Sequence, residues 1–192
     1  DIAIMRALPN MVVFCPCDFA EAEAGVHAMI AHDGPFYYRC GYKKEPPVHS
    51  GKIDFQLGKA IRVREGADAT IFFTGTIGNQ AAAAAELLER DGIRCRVESL
   101  HTVKPIDRAA IVAAARETGG IITVEEHQLA GGLGGAVAEV LCDEGVVPQR
   151  FLRLGLGFWI NTVLSHRSWQ CGSRNIYASR WRARACSVEG ED

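Results

Sequence analysis

The sequence lacks the features that define several large protein classes. No run of about 18 apolar residues occurs among its 192 residues, which excludes a membrane-spanning helix of ordinary length. An excess of one charge is also missing: the formal net charge of −2 argues against a protein that binds nucleic acid over its whole surface. With 48% hydrophobic and 23% charged residues, the composition is that of a globular protein and excludes wholesale disorder.

Disulfide and metal motifs are missing as well. The seven cysteines are an odd number and form no CxxC pair, and Cys15 and Cys17 have no second pair to complete a zinc site. We therefore expect no metal site, and free thiols in a reducing compartment, the cytoplasm. Residues 1–6 contain no charged segment followed by an apolar one, so we expect no signal peptide.

No complete catalytic motif occurs in the sequence. There is no G-x-S-x-G, no H-E-x-x-H and no local Cys–His dyad, and His27, His32, His49 and His166 have no convincing partner. The glycine-rich run 131–135 fails the dinucleotide fingerprint because position 137 is Val, and no Walker lysine follows. Close backbone packing or a tight turn is the expected reason for these glycines, with anion binding at a helix N-terminus as the alternative.

Strands and helices alternate regularly after residue 55. The pattern predicts five strands, at 58–64, 68–74, 94–100, 121–124 and 151–156, and three helices, at 77–90, at 107–116 and after the glycine-rich run. Such alternation is typical of βαβ units. Residues 55–156 are therefore predicted to form one α/β domain with a mostly parallel sheet flanked by helices.

The flanking segments have a different character. Residues 1–42 are too short for a domain and are predicted to be the end of another one, with strands at 11–14 and 36–40. Between these strands a helix is expected to begin after Asp18, which forms a capping-box pattern with Glu21. Residues 43–54 are charged and contain two prolines, which is typical of a linker.

Residues 157–192 form an atypical tail. All three tryptophans of the chain lie there, among several arginines, at Trp159, Trp169 and Trp181. This composition is typical of a GC-rich gene read in a shifted frame, and we expect the tail to be frameshifted or disordered. The alternative is a basic, aromatic arm that binds nucleic acid or a membrane surface.

Candidate site residues follow two predicted strands, where parallel sheets bind their ligands. Arg39 could hold a phosphate or carboxylate with two hydrogen bonds, or form a surface ion pair. The run Glu125-Glu126-His127 could carry acid–base chemistry, or be a polar strand exit or subunit contact. His101 and Lys104 are candidates for a groove, although nothing in their spacing demands it.

Five motifs, in the right order, resemble the transketolase family. Residues 1–10 resemble E-D-[IL]-A-x-[ML]-R-x-[IL]-P-N without its leading Glu, and residues 16–21 resemble P-x-D-x-x-E. Residues 34–41 resemble G-P-x-Y-x-R-x-G, and residues 101–107 resemble [RH]-T-[IL]-x-P-[IL]-D. Residues 124–134 resemble V-E-E-H followed by G-G-x-G. The whole is similar to the C-terminal portion, or separate C-terminal subunit, of a split transketolase.

This resemblance implies a fold and an activity. Residues 1–42 would be the C-terminal end of a pyrimidine-binding domain, and residues 55–156 a transketolase C-terminal domain. The family moves a two-carbon ketol unit between sugar phosphates, and the thiazolium carbanion of thiamine diphosphate carries the chemistry. Arg39 matches the arginine that binds the substrate phosphate. His101, Glu126 and His127 would lie in the cofactor channel or at an interface.

The resemblance also implies that the catalytic residues lie elsewhere. The family's catalytic Glu and His residues would lie upstream of residue 1, and thiamine diphosphate and Mg²⁺ would be held mainly by upstream or partner domains. We therefore expect the chain alone to be inactive and to work with an N-terminal half, as a homodimer or heterotetramer. Three alternatives stay open: a 1-deoxy-xylulose-5-phosphate synthase, a 2-oxo-acid dehydrogenase beta subunit and a non-catalytic dimerisation module.

Overall fold

A five-stranded sheet lies at the centre of the protein, whose computed structural model describes residues 1–41 and 46–157. Its strands follow the order β3, β5, β4, β7, β8, with bounds Ile61–Arg64, Cys95–Ser99, Ala69–Thr74, Ile121–Gln128 and Phe151–Leu156. Every neighbouring pair is parallel except β3 and β5, which are antiparallel. The mostly parallel α/β sheet expected from the alternating pattern is confirmed.

Three helices flank this sheet: α3 (Gly78–Arg90), α4 (Arg108–Glu117) and α5 (Leu133–Asp143). The alanine-rich run predicted α3, which follows a short 3₁₀ turn at Gly75–Ile77. Large apolar side chains of strands and helices fill the space between the layers, among them Phe72, Leu100, Ile111, Ile121 and Val137. The three helices therefore cover the sheet and keep it from solvent, as a parallel sheet requires.

Residues 1–41 contribute four elements: α1 (Ile2–Ala7), β1 (Val12–Phe14), α2 (Phe19–Ala31) and β2 (Phe36–Tyr38). The capping residue of α2 is Asp18, whose Oδ1 accepts a hydrogen bond from the Glu21 N–H at 3.2 Å, as the sequence predicted. The sequence pattern did not predict α1, which is only six residues long. A helix that short has too few positions to show a period.

A second, three-stranded sheet joins the first 41 residues to the rest. Its order is β2, β1, β6, where β6 (Thr102–Lys104) is antiparallel to β1. The sequence predicted only a connection at residues 101–107, so β6 is a difference from that prediction. Ile2, Val13, Val103 and Ala136 pack together behind this sheet. These contacts explain why residues 1–157 form one unit, although the predicted domain boundaries stay a prediction.

The ends of the two sheets meet where β1 and β4 finish. The Gly75 N–H donates to the Cys15 carbonyl at 3.0 Å, and Gly75 has a φ of 72°, which favours glycine. This contact brings the turn after β4 beside Cys15, the residue directly after β1. The predicted tail lies outside the described residues apart from Gly157. No helix within the described ranges is long and apolar enough to cross a membrane.

Candidate active site

Arg39 lies directly after β2, in the loop that approaches the end of β7. Its backbone N–H donates to the Phe14 carbonyl at 2.8 Å, which continues the β1–β2 pairing by one residue. Its Nε donates to Asp1 Oδ2 at 2.7 Å, and its Nη2 donates to the Glu126 carbonyl at 3.3 Å. The guanidinium is thus fixed by two elements and already holds one oxyanion, the Asp1 carboxylate.

An open pocket of about 400 Å³ surrounds this guanidinium. It is lined by residues of β2, the following loop, the 3₁₀ turn and β7, including Tyr37, Arg39, Gly41, Thr76 and Glu126. The Tyr37 hydroxyl donates to the same Asp1 oxygen as Arg39, at 2.8 Å. A cation and a hydroxyl donor that converge on one oxygen can bind an anionic group.

Glu126 lines this pocket, and the next residue, His127, lies beside Asp1, which lines the pocket as well. The Thr76 hydroxyl donates to Glu126 Oε2, which fixes that carboxylate on the pocket wall. His127 Nδ1 donates to the Gln128 carbonyl at 2.7 Å, so Nε2 is the unprotonated nitrogen of the neutral ring, and it lies 3.8 Å from Asp1 Oδ1. Burial lowers the pKa of His127, which favours the neutral ring.

His101 does not join these residues. Its ring is fully buried, lies 4.7 Å from the Phe55 ring in a stacked arrangement, and has its Nδ1 2.8 Å from Thr102 Oγ1. Burial lowers its pKa. Arg39 and Glu126 therefore line one pocket and His127 lies beside its Asp1, whereas His101 packs in the core behind β1.

Glu125 caps the start of α5, a role that the sequence analysis does not predict. Its carboxylate is fully buried, with Oε2 accepting from the Leu133 N–H at 2.7 Å and Oε1 from the Gly134 N–H at 2.9 Å. The chain's own Glu125 thus occupies the anion position at the N-terminus of α5. Burial raises the pKa of Glu125 despite these two hydrogen bonds. The signal for this contact is a glutamate in a buried strand a few residues before a glycine-rich helix start.

The glycines of this turn are explained by close packing, as expected. A Cβ on Gly132 would lie 1.8 Å from Glu125 Oε2, and a Cβ on Gly134 would lie 2.7 Å from a side-chain atom of Arg153. Neither distance leaves room for a methyl group. The glycines therefore let the backbone of α5 approach the Glu125 carboxylate.

A second polar cluster lies at the start of α2. His49 Nε2 is 2.8 Å from Glu21 Oε1 and 3.6 Å from Cys17 Sγ, and the Cys17 N–H donates to Glu21 Oε2 at 2.8 Å. The prediction that His49 lacks a partner is wrong, because the segment after residue 45 folds back onto α2. Nothing in the sequence indicates this contact, because Glu21 and His49 lie 28 positions apart along the chain.

The cysteines that the structure describes are all free thiols, as expected: Cys15, Cys17, Cys40, Cys95 and Cys142. Burial raises the pKa of Cys15 to about 12 and that of Cys95 to about 11. Thiols with such pKa values are protonated at neutral pH. Neither Cys15 nor Cys95 is therefore a nucleophile.

Comparison with known proteins identifies the family. The model of the family "Transketolase, C-terminal domain" matches residues 58–158. The "6-deoxy-6-sulfo-D-fructose transketolase subunit SqwH" of Clostridium sp. (strain MSTE9) is 42% identical over 150 residues, which are 78% of this chain and 47% of that protein. The "1-deoxy-D-xylulose-5-phosphate synthase" of Syntrophotalea carbinolica is 37% identical over 162 residues, which are 81% of this chain and 25% of that protein.

A solved structure gives the same result. The structure titled "Split gene transketolase, inactive beta4 tetramer" superposes with a TM-score of 0.86 at 38% identity, covering 95% of this chain and 60% of that one. The chain thus spans about half of the sulfofructose transketolase subunit and a quarter of the synthase. Sequence, fold and relatives agree that the chain belongs to the transketolase family and corresponds to the C-terminal portion of its members.

Proposed function

We propose that this chain is the C-terminal portion of a thiamine-diphosphate-dependent transketolase. Together with an N-terminal half it transfers a two-carbon ketol unit between sugar phosphates. The observation that carries this proposal is Arg39, whose guanidinium lies in an open pocket and is already bonded to the Asp1 carboxylate at 2.7 Å. The membership of the transketolase family supports the reaction class.

Arg39 acts in this proposal as the residue that binds the substrate phosphate. A guanidinium offers several N–H donors in one plane, and phosphate oxygens accept them in the same geometry as the Asp1 carboxylate does here. The phosphate would replace that carboxylate, and the Tyr37 hydroxyl would move its hydrogen bond to the incoming group. Glu126, which lines the same pocket, then borders the path of the sugar, and His127 is the residue next to it.

The cofactor's Mg²⁺ does not fit the residues described here. Mg²⁺ prefers an octahedron of oxygen ligands. Within the described ranges one group of three potential metal ligands converges, Cys17, Glu21 and His49, and only one of its three ligand atoms is an oxygen. The proposal therefore assigns thiamine diphosphate and Mg²⁺ to the N-terminal half, and no catalytic step is assigned to this chain.

The assembly and location follow from the same proposal. Relatives described as a subunit and as a split-gene transketolase favour a separate N-terminal partner, in a homodimer or heterotetramer. The free cysteines fit the reducing cytoplasm. The second candidate is a 1-deoxy-xylulose-5-phosphate synthase, which the similarity to that enzyme favours. The two candidates are distinguished by assaying ketol transfer between sugar phosphates and, separately, formation of 1-deoxy-xylulose 5-phosphate.

Replacing Arg39 tests the proposal. In the complex with the N-terminal half, Arg39→Ala should raise the apparent KM for a phosphorylated ketose about tenfold or more, because one charged contact of about 1.4 kcal/mol or more is lost. The KM for an unphosphorylated donor should change little. Arg94→Ala is the matched control, since Arg94 is exposed and lies outside the pocket. Equal KM values for the two variants would favour a non-catalytic dimerisation module.

A further inference from the structure

Three side chains with metal-binding atoms converge at the start of α2. Cys17 precedes the helix, Glu21 lies in its first turn, and His49 approaches from the segment that follows residue 45. Cys17 and Glu21 are buried, and His49 is half-buried. Their three ligand atoms, Sγ, a carboxylate oxygen and an imidazole nitrogen, lie within 4.8 Å of one another.

The separation of these atoms suits a tetrahedral ion. With Zn–S bonds of about 2.3 Å and Zn–N bonds of about 2.0 Å, two ligands at a tetrahedral angle lie about 3.5 Å apart. Cys17 Sγ and His49 Nε2 are 3.6 Å apart. His49 Nε2 and Glu21 Oε1 are 2.8 Å apart, a hydrogen-bond distance that must widen by about half an ångström when an ion replaces the proton.

Neighbouring groups hold the three ligands in place. The Cys17 N–H donates to Glu21 Oε2 at 2.8 Å, which leaves Oε1 for the ion. Asp18 Oδ2 accepts from the His49 N–H at 2.9 Å and fixes the backbone that carries the imidazole. Such outer contacts are typical of metal sites in proteins. The Glu21 carboxylate lies beside Cys17 and the Asp18 carboxylate beside the backbone of His49, and negative charge at these places favours a cation.

An unpartnered polar atom beside the cluster points to a missing ligand. His101 Nε2 belongs to a fully buried ring, and it has no hydrogen-bond partner among the described residues. Ser99 also lies beside Cys17 and Glu21. His49 also lines an open pocket of about 400 Å³, which gives an ion a route to the cluster.

We propose that Cys17 Sγ, Glu21 Oε1 and His49 Nε2 bind a Zn²⁺ ion, with water in the fourth position. When Zn²⁺ binds, the thiol proton of Cys17 leaves to solvent. The His49 Nε2 proton that Glu21 accepts is lost from that nitrogen as well, to solvent from a charged ring or by transfer to Nδ1 in a neutral one, so that His49 binds as neutral imidazole. The ion is distinct from the cofactor's Mg²⁺, because a thiolate and an imidazole select zinc over magnesium. Bound zinc would fasten the segment around His49 to α2. The expectation of no metal site rested on cysteine spacing alone, which does not show His49.

Metal titration of the full chain tests this site. After treatment with a chelator, the protein is titrated with Zn²⁺ in competition with a chromogenic chelator, and separately with Co²⁺. We expect one equivalent of Zn²⁺ and a thiolate-to-cobalt charge-transfer band. Cys17→Ala and His49→Gln should each weaken Zn²⁺ binding by more than about 100-fold, beyond what loss of an outer contact produces. The band should vanish in Cys17→Ala.

Matched variants separate the site from adventitious binding. Cys142→Ala and His27→Asn alter an exposed cysteine and an exposed histidine outside the cluster, and they should bind Zn²⁺ as the unaltered chain does. Circular dichroism checks that each variant folds, and if Cys17→Ala does not, His49→Gln and the cobalt spectrum of the unaltered chain decide. Substoichiometric binding, equal weakening in control and cluster variants, or a cobalt spectrum without the thiolate band would overturn the proposal.

Discussion

Glu125 shows how one residue can combine two sequence motifs. It lies within β7, and its carboxylate accepts the first free N–H groups of α5 at 2.7 and 2.9 Å. The sequence does not link the acid run to the glycine run. Their contact depends on the distance between a strand and a helix start, which residue order does not give.

Replacing this carboxylate should destabilise the protein. Glu125→Gln keeps the shape but offers one carbonyl oxygen to two N–H groups, so one buried donor is left unpaired. We expect a loss of about 1–3 kcal/mol in the free energy of unfolding, measured with urea. Glu86→Gln is the control, because Glu86 is exposed on α3. A loss no larger than that of Glu86→Gln would contradict the role assigned to Glu125.

Of the candidate residues, Arg39 has the position that is easiest to predict from the sequence. An arginine just after a strand lies at the edge where parallel strands bind ligands, and the pocket is found at that edge. The position of His101 is harder to predict. It also follows a predicted strand, which favours the ligand-binding edge, but its stacking on Phe55 holds it in the core. Burial of a ring depends on distant residues, and Phe55 is 46 positions away in the sequence.

At the scale of elements, segments with a strong local signal are predictable, including the three-residue strands β1 and β2, whose apolar and aromatic residues favour a strand. Helix α3 follows from five consecutive alanines, and the capping pattern gives the start of α2. β6 has no such signal, and it forms where β1 offers a pairing edge. This strand is therefore determined by its partner more than by its own sequence.

Two glycines at the start of α5 should respond in opposite ways to replacement by alanine. Gly132→Ala should lower the free energy of unfolding by about 1–3 kcal/mol, because its Cβ would overlap the Glu125 carboxylate. Gly135→Ala should be neutral or stabilise by up to about 1 kcal/mol, because its Cβ would meet only Arg6 Nη1, at 3.8 Å, and alanine favours a helix.

Thermal or urea unfolding of the two variants measures this difference. Gly135→Ala serves as the control for Gly132→Ala, since the two changes add the same methyl group three residues apart. Equal effects of both substitutions would show that the glycines serve only chain flexibility, and the packing role of the turn would then be wrong.

At the scale of the whole molecule, the chain joins the predicted end of one domain, residues 1–42, to a second predicted domain, residues 55–156. β6 pairs with β1, and Ile2 and Val13 pack against Val103 and Ala136, so the first 41 residues share a core with the later ones. The sequence predicted the parallel sheet but not this junction. Junctions depend on contacts between residues far apart in the chain, and periodicity reports only local structure.

The most direct test of the account is ketol transfer before and after an N-terminal half is added. The purified chain, with thiamine diphosphate, Mg²⁺, xylulose 5-phosphate and ribose 5-phosphate, should show no turnover, because the proposal places no catalytic group in it. Mixing with the N-terminal half should produce turnover that saturates with the amount of that half. Turnover by this chain alone, or none in a complex that has demonstrably formed, would contradict the proposed function.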